Sequence, residues 1–451
     1  MEKQHLKYIY LCTLVAALGG LLFGYDTAVV AGAIGFIKLK YVLSPAMTGW
    51  VASCALIGCM AGAMFAGILS DQLGRKKVLF ISGIAFAISS FGIILDLNLN
   101  WFILFRFIGG LGIGIASILA PLYISEIAPS KIRGRLISIY QLGIVIGILL
   151  IYFVNAKIAG LHTEIWNISV GWRYMFGSGI IPALIFISFL FFVPESPRWL
   201  VFKNRLLEAE QVFINITGLE SSKQELENVK SSLINKEESF STLFKPGLRK
   251  ALIIGILLSI FSQITGINVI MYYAPLIFKV AGGESTSALM QTVLIGCINL
   301  IMTFVSIKYV DNLGRRTLLL IGSLGMSICL AIVGFAFYNN INTSYLILTG
   351  ILFYISFFAI SLGPLTFVVV AEIFPTSIRG SAMSVAIFFL WLSVFVVSQT
   401  FPMLLESIGI AYTFWIYMLF SVIAFCFVFK FIPETKGKSL EEIQNLWSSS
   451  K

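Results

Sequence analysis

EIAPSKIRG at residues 126–134 returns as EIFPTSIRG at residues 372–380, a separation of 246. Two further stretches repeat at nearly the same offset. DQLGRKK (71–77) returns as DNLGRR (311–316) and, more loosely, PESPR (194–198) returns as PETKG (433–437), at separations of 240 and 239. Three motifs in one order at one offset mean that the chain is an internal duplication.

The units being duplicated are apolar. Of the 451 residues 58% are hydrophobic and only 12% charged, against roughly 25% charged in a soluble domain. The apolar residues gather into twelve runs, at about 8–35, 47–69, 77–96, 101–125, 136–156, 171–193, 250–278, 288–310, 316–338, 345–373, 379–403 and 411–432. Runs of this length cross about 30 Å of hydrocarbon as helices. The longest polar stretch, about 194–249, divides them six and six and contains LLEAEQVF and KQELENVKSSL, which suit short amphipathic helices. The expected segments are thus 1–193 and 250–432 as six-helix bundles, 194–249 as a cytoplasmic helical linker, and 433–451 as a tail. Parallel six-helix repeats are a transporter architecture, with the substrate held near mid-membrane.

Charge sets the orientation. With both termini inside, 25 of the 31 Lys and Arg residues fall in cytoplasmic segments, as the positive-inside rule requires. The net charge of +10 therefore reflects topology and contact with anionic lipid, and gives no reason to expect nucleic acid. The six cysteines all lie within predicted spans without metal-ligand spacing, and the two histidines, His5 and His162, lie near span ends. No metal, cofactor or catalytic set is indicated.

Two charges stand inside apolar runs: Asp26 in LLFGYDTAVVAG (21–32) and Arg106 in ILFRFIGGLG (103–112). Ionisable residues at such depth are costly and face a partner or a cavity. The first helix runs outward and the fourth inward, which puts both in the outer half at similar depth, where they can pair. Burial disfavours an ionised carboxylate and a nearby guanidinium favours it, so protonation there responds to exposure. A permanent structural ion pair is the competing reading. Neutral amides also stand within spans: Gln141, Gln263, Asn268 and Asn299, with Trp391 mid-way through the eleventh. Sugars present hydroxyls and C–H faces, which amides and aromatic rings complement, although interhelical bonding also uses amides.

Together the DxLGR repeats, PESPRWL (194–200), SQITGIN (262–268), the two E-x-x-P-x-x-x-R-G loops and PETKGKSLEEI (433–443) resemble the sugar porter family of the major facilitator superfamily, over residues 15 to 446. The resemblance is nearest to bacterial proton-linked sugar symporters. It implies an all-α membrane protein with twelve transmembrane helices in two pseudo-symmetric bundles, working by alternating access as a functional monomer in a bacterial inner membrane. It also implies that Asp26 and Arg106 couple a proton, and that Gln141, Ser262, Gln263, Asn268, Tyr272, Asn299, Phe367 and Trp391 meet a monosaccharide. Three positions depart from the pattern: Ser262 replaces the first of two glutamines, Phe367 a tryptophan, and Leu390 a glutamine beside Trp391.

A cytoplasmic gate is implied by the same resemblance. Its cross-half pairs are Glu126–Arg379 and Arg133–Glu372, and its pairs within each half are Asp71–Arg75 and Asp311–Arg315. Gly255, Gly266 and GPLTF (363–367) are candidate bending points, and Gly58 and Gly62 suit close helix packing. A proton-independent facilitator and a polyol or inositol carrier are the alternative functions.

Overall fold

The computed structural model describes residues 3–129, 132–234, 248–281, 285–340, 344–374, 379–434 and 436. Among the described residues, twelve helical spans are long and apolar enough to cross a membrane. They are Gln4–Tyr41, Pro45–Leu73, Arg75–Ile94, Leu99–Ile127, Arg133–Leu161, Glu164–Leu190, Leu248–Val280, Ser287–Val310, Arg315–Tyr338, Tyr345–Ile373, Ala382–Ser407 and Ile410–Phe431. Each expected apolar run is met by one span. In hydrocarbon every backbone N–H and C=O must find its partner within the segment, so these runs fold as helices.

The polar stretch between the sixth and seventh spans forms three short helices, Pro197–Phe202, Leu206–Thr217 and Leu219–Ile234. Ser196 caps the first of them, accepting from the Trp199 amide, with Pro197 in the first turn. The second is amphipathic: Ala209, Val212, Phe213 and Ile216 are buried at helical spacing.

The duplication is visible atom by atom. Both DxLGR turns pass through a glycine with positive φ, Gly74 at 98° and Gly314 at 87°. The glutamates of PESPR and PETKG then cap the helices that follow. Glu195 Oε1 accepts from the amides of Arg75 (2.9 Å) and Lys76 (3.1 Å). Glu434 Oε1 and Oε2 accept from those of Arg315 (3.0 Å) and Arg316 (3.1 Å). A carboxylate on the first turn satisfies otherwise orphaned donors and suits the helix dipole. A Cβ at Gly74 would run into the Glu195 carboxylate, so the motif needs glycine there twice over.

Two spans are broken. The seventh consists of Leu248–Ile264 and Ile267–Val280, joined at Gly266 (φ 95°). The tenth breaks at Ser361, between Ser344–Ile360 and Leu362–Ile373. Expected bends at Gly266 and near GPLTF thus have counterparts, the latter two residues before Gly363. Gly255 lies within the uninterrupted helix Leu248–Ile264, where a Cβ would approach the Phe374 ring to 3.0 Å. Gly58 and Gly62 let the second span lie against the Phe107 and Leu111 carbonyls of the fourth.

Two compact units are present, and they are cut differently from the expected segments. The first comprises residues 1–27, 57–148 and 176–237; the second comprises 28–56, 149–175 and 238–451. The reason lies inside the second unit, where ends of spans from the first repeat pack on spans of the second. Tyr152 Oη donates to the Met271 carbonyl (2.7 Å). Gln399 accepts from Ser53 Oγ (3.0 Å) and donates to the Ala46 carbonyl (2.9 Å), stapling the eleventh span to the second. Lys279 and Glu164 pair at 3.4 Å.

Candidate functional site

In the first unit, Arg106 Nη1 donates to Asp26 Oδ2 at 2.7 Å. The two residues, 80 apart in sequence, are only 1% and 8% exposed. Arg106 Nη2 also approaches the Asp26 backbone carbonyl (3.5 Å), and its guanidinium carbon lies 5.1 Å from the centre of the Phe176 ring. A short charge-assisted bond and an aromatic face offset part of the desolvation of both ions. Removing either partner would leave the other buried and uncompensated. Phe176 is a contributor that hydropathy does not single out, since it is one aromatic residue in an apolar span.

In the second unit, the break in the seventh span gathers the polar residues of SQITGIN. Gln263 ends one half-helix region and Asn268 starts the next. Asn268 Nδ2 donates to Gln263 Oε1 (2.6 Å), Gln263 Nε2 donates to Ser262 Oγ (3.0 Å), and Ser262 Oγ–H donates to the Ser259 carbonyl (2.7 Å). Gln263 and Asn268 are half-buried, with polar capacity left over. Ser262 is not: it is fully buried at 0% exposure. Its hydroxyl is turned onto its own helix.

The other expected residues divide between the units. Gln141 is half-buried on the fifth span, in the first unit. Tyr272 (4% exposed), Asn299 (6%) and Trp391 (4%) are buried in the second. Asn299 supplies its backbone carbonyl to Thr303 Oγ1 (2.7 Å). Phe367, by contrast, is 40% exposed on the second half of the broken tenth span and keeps an open aromatic face.

Charges at the repeated motifs pair within each repeat. Arg75 forks onto Glu126, with Nε at 3.1 Å from Oε2 and Nη2 at 3.1 Å from Oε1, and its Nη1 reaches Asp71 (3.1 Å). In the second repeat Arg315 Nη2 contacts Glu372 (3.2 Å). Glu126 is thus held by Arg75, and Glu372 is in contact with Arg315, each within its own repeat. Each arginine sits at the first turn of its helix, in reach of the acid from its own repeat. Arg133 Nη2 lies 3.4 Å from the Ala128 carbonyl. The side chains of Asp311 and Arg379 lie outside the described residues.

The family model described as "Sugar (and other) transporter" matches residues 12–447. An arabinose-proton symporter of Bacillus subtilis is 43% identical over 447 residues, covering 99% of this chain and 96% of the relative. A D-xylose-proton symporter of Escherichia coli is 40% identical, covering 98% of this chain and 96% of its own, and a galactose-proton symporter of the same organism is 39% identical, covering 96% and 93%. Among solved structures, the inward-open xylose transporter XylE from E. coli has a TM-score of 0.87 at 40% identity, covering 98% of this chain and all of that one. The proton:xylose symporter XylE bound to 6-bromo-6-deoxy-D-glucose has a TM-score of 0.83 at 41% identity, covering 98% and 99%.

Proposed function

This chain belongs to the sugar porter family of the major facilitator superfamily, and we propose that it is a secondary active transporter carrying a monosaccharide and a proton in the same direction. The observation that carries this reading is the buried Asp26–Arg106 pair, 2.7 Å apart inside an apolar bundle. With the carboxylate ionised, guanidinium and carboxylate neutralise each other. A proton on Asp26 removes the attraction, frees the guanidinium and changes the packing of the first span on the fourth. A proton can thus bias an equilibrium between two arrangements of the spans.

Sugar recognition belongs to neutral groups. Gln263 and Asn268 offer amide donors and acceptors, and Phe367 offers a ring face, with Gln141, Asn299, Tyr272 and Trp391 as further candidates. The absence of a carboxylate from this set suits an uncharged pentose or hexose. The relatives named for arabinose, xylose and galactose support that substrate class. The Arg75–Asp71–Glu126 and Arg315–Glu372 clusters serve as cytoplasmic latches. Placement in a bacterial inner membrane as a monomer, with both termini inside, completes the reading.

The test is uptake of labelled L-arabinose, D-xylose and D-galactose by the purified protein in proteoliposomes. Saturable accumulation driven by an inward proton gradient and abolished by a protonophore is expected. Sugar flux that equilibrates without accumulating would make the protein a facilitator, with the ion pair purely structural. No flux of any sugar would remove the sugar reading.

A further inference from the structure

Ser262 is fully buried, and its hydrogen bonds point to a role beyond direct contact. A hydroxyl has one proton. Ser262 Oγ–H donates it to the Ser259 carbonyl at 2.7 Å, so towards Gln263 the oxygen can only accept. The amide nitrogen of Gln263 must therefore face Ser262, as it does at 3.0 Å. This places Gln263 Oε1 on the opposite side, where it accepts from Asn268 Nδ2 at 2.6 Å. Asn268 is then fixed in turn, with Nδ2 used inward and Oδ1 left to accept.

Three residues thus form a chain with a defined donor-to-acceptor direction, anchored on a backbone carbonyl that cannot reverse. The terminal torsion of a glutamine or asparagine amide is broad and roughly two-fold, so an unanchored amide populates both orientations. Serine suits the anchoring position because a longer amide could itself flip, whereas a hydroxyl held by its own helix cannot present a second donor.

We propose that Ser262 is the positioning residue that sets the hydrogen-bond polarity of the sugar site. Through Gln263 it holds Asn268 as an acceptor for a sugar hydroxyl and Gln263 as a donor by its second N–H. The proposal rests on the sugar-transport reading above and adds a specificity determinant that the ligand never touches. Sugars differing in one hydroxyl are distinguished because the site cannot exchange a donor for an acceptor.

The test uses the full-length protein in proteoliposomes under a fixed proton gradient, measuring KM, maximal rate and pH profile for D-xylose, L-arabinose and D-galactose. Ser262→Ala should raise KM for the preferred sugar about fivefold, the worth of one hydrogen bond. It should also narrow the KM ratio between sugars, with the maximal rate and pH profile changed less than twofold. Ser262→Thr, which keeps a hydroxyl able to bond the preceding turn, should restore KM to within twofold of the wild type. Acting through Gln263, the alanine effect should vanish in a Gln263→Ala background. An unchanged KM in Ser262→Ala, an equal rise in the Gln263→Ala background, or a threonine variant no better than alanine would each overturn the proposal. Should the alanine protein fail to fold, Ser262→Cys carries the test, and a wild-type KM there overturns it. A wild type without saturable sugar uptake would instead sink the transport reading itself.

Discussion

The first helix of each repeat carries polar residues inside its span, and the two do so in opposite ways. An offset of 239–246 residues carries Asp26 onto positions 265–272, the region of the broken seventh span. In the first repeat that helix is continuous from Lys3 to Tyr41 and its carboxylate is neutralised by Arg106. In the second it is interrupted at Gly266 and bears a chain of uncharged amides and a hydroxyl. One duplicated element thus bears a buried charge pair and the other a chain of neutral hydrogen-bonding groups, the proposed sugar site. A charge pair can respond to one proton with a large change in energy, whereas amides read shape through several small terms. Separate placement lets each evolve without disturbing the other.

The contrast can be broken most forcefully at Arg106. Arg106→Leu leaves Asp26 buried without its partner and should cost about 3–5 kcal/mol of stability. Asn268→Leu in the neutral half should cost less than about 2 kcal/mol. Unfolding in detergent with graded denaturant compares the two, and equal losses would erase the distinction. Asp26→Asn comes next. A 100 mV potential supplies about 2.3 kcal/mol per charge, or roughly 50-fold accumulation. This should collapse to equilibration, with counterflow exchange retained. Wild-type uptake should rise as the external pH falls, because the proton carried in with the sugar is then more abundant outside. The asparagine variant should be flat across the same range, and a retained slope would move the proton site elsewhere.

In the second repeat, Gln263→Ala removes a proposed sugar contact and the bond that orients Asn268. A loss of about 1–3 kcal/mol corresponds to a KM rise of roughly 5- to 150-fold with the pH profile unmoved. Transport kinetics at two pH values would show it. The smallest effects belong to the features the halves share. Glu195→Gln and Glu434→Gln each weaken one helix cap, by about 0.5–1 kcal/mol. Thermal melts should give nearly equal losses, and unequal ones would mean that the duplicated corners have diverged.

The twelve spans and the duplication were legible because both are written locally: apolar runs of fixed length, and glycines, acids and prolines at one offset. The meeting of Asp26 and Arg106 was legible too, since helix direction and depth place them level. Depth does not give rotation about a helix axis, and there the reading stopped. Ser262 is adjacent to Gln263 yet faces the interior of its own bundle, and Phe367 is exposed where Trp391 is buried. Glu126 lies equally well in sequence for several arginines; the bidentate fork of Arg75 chooses it. Gln399 was hidden for a different reason. Its two bonds, to Ser53 and Ala46, join residues about 350 apart, a pairing no local pattern encodes.

The interruption at Gly266 has a mechanical consequence. Gln263 and Asn268 ride on separate rigid rods, and the 2.6 Å bond between them is a stitch across the joint. A sugar that grips both amides spans the same joint and competes with any change in its angle. On the proposed sugar-site reading, occupancy would be registered as resistance to bending at the break in the span.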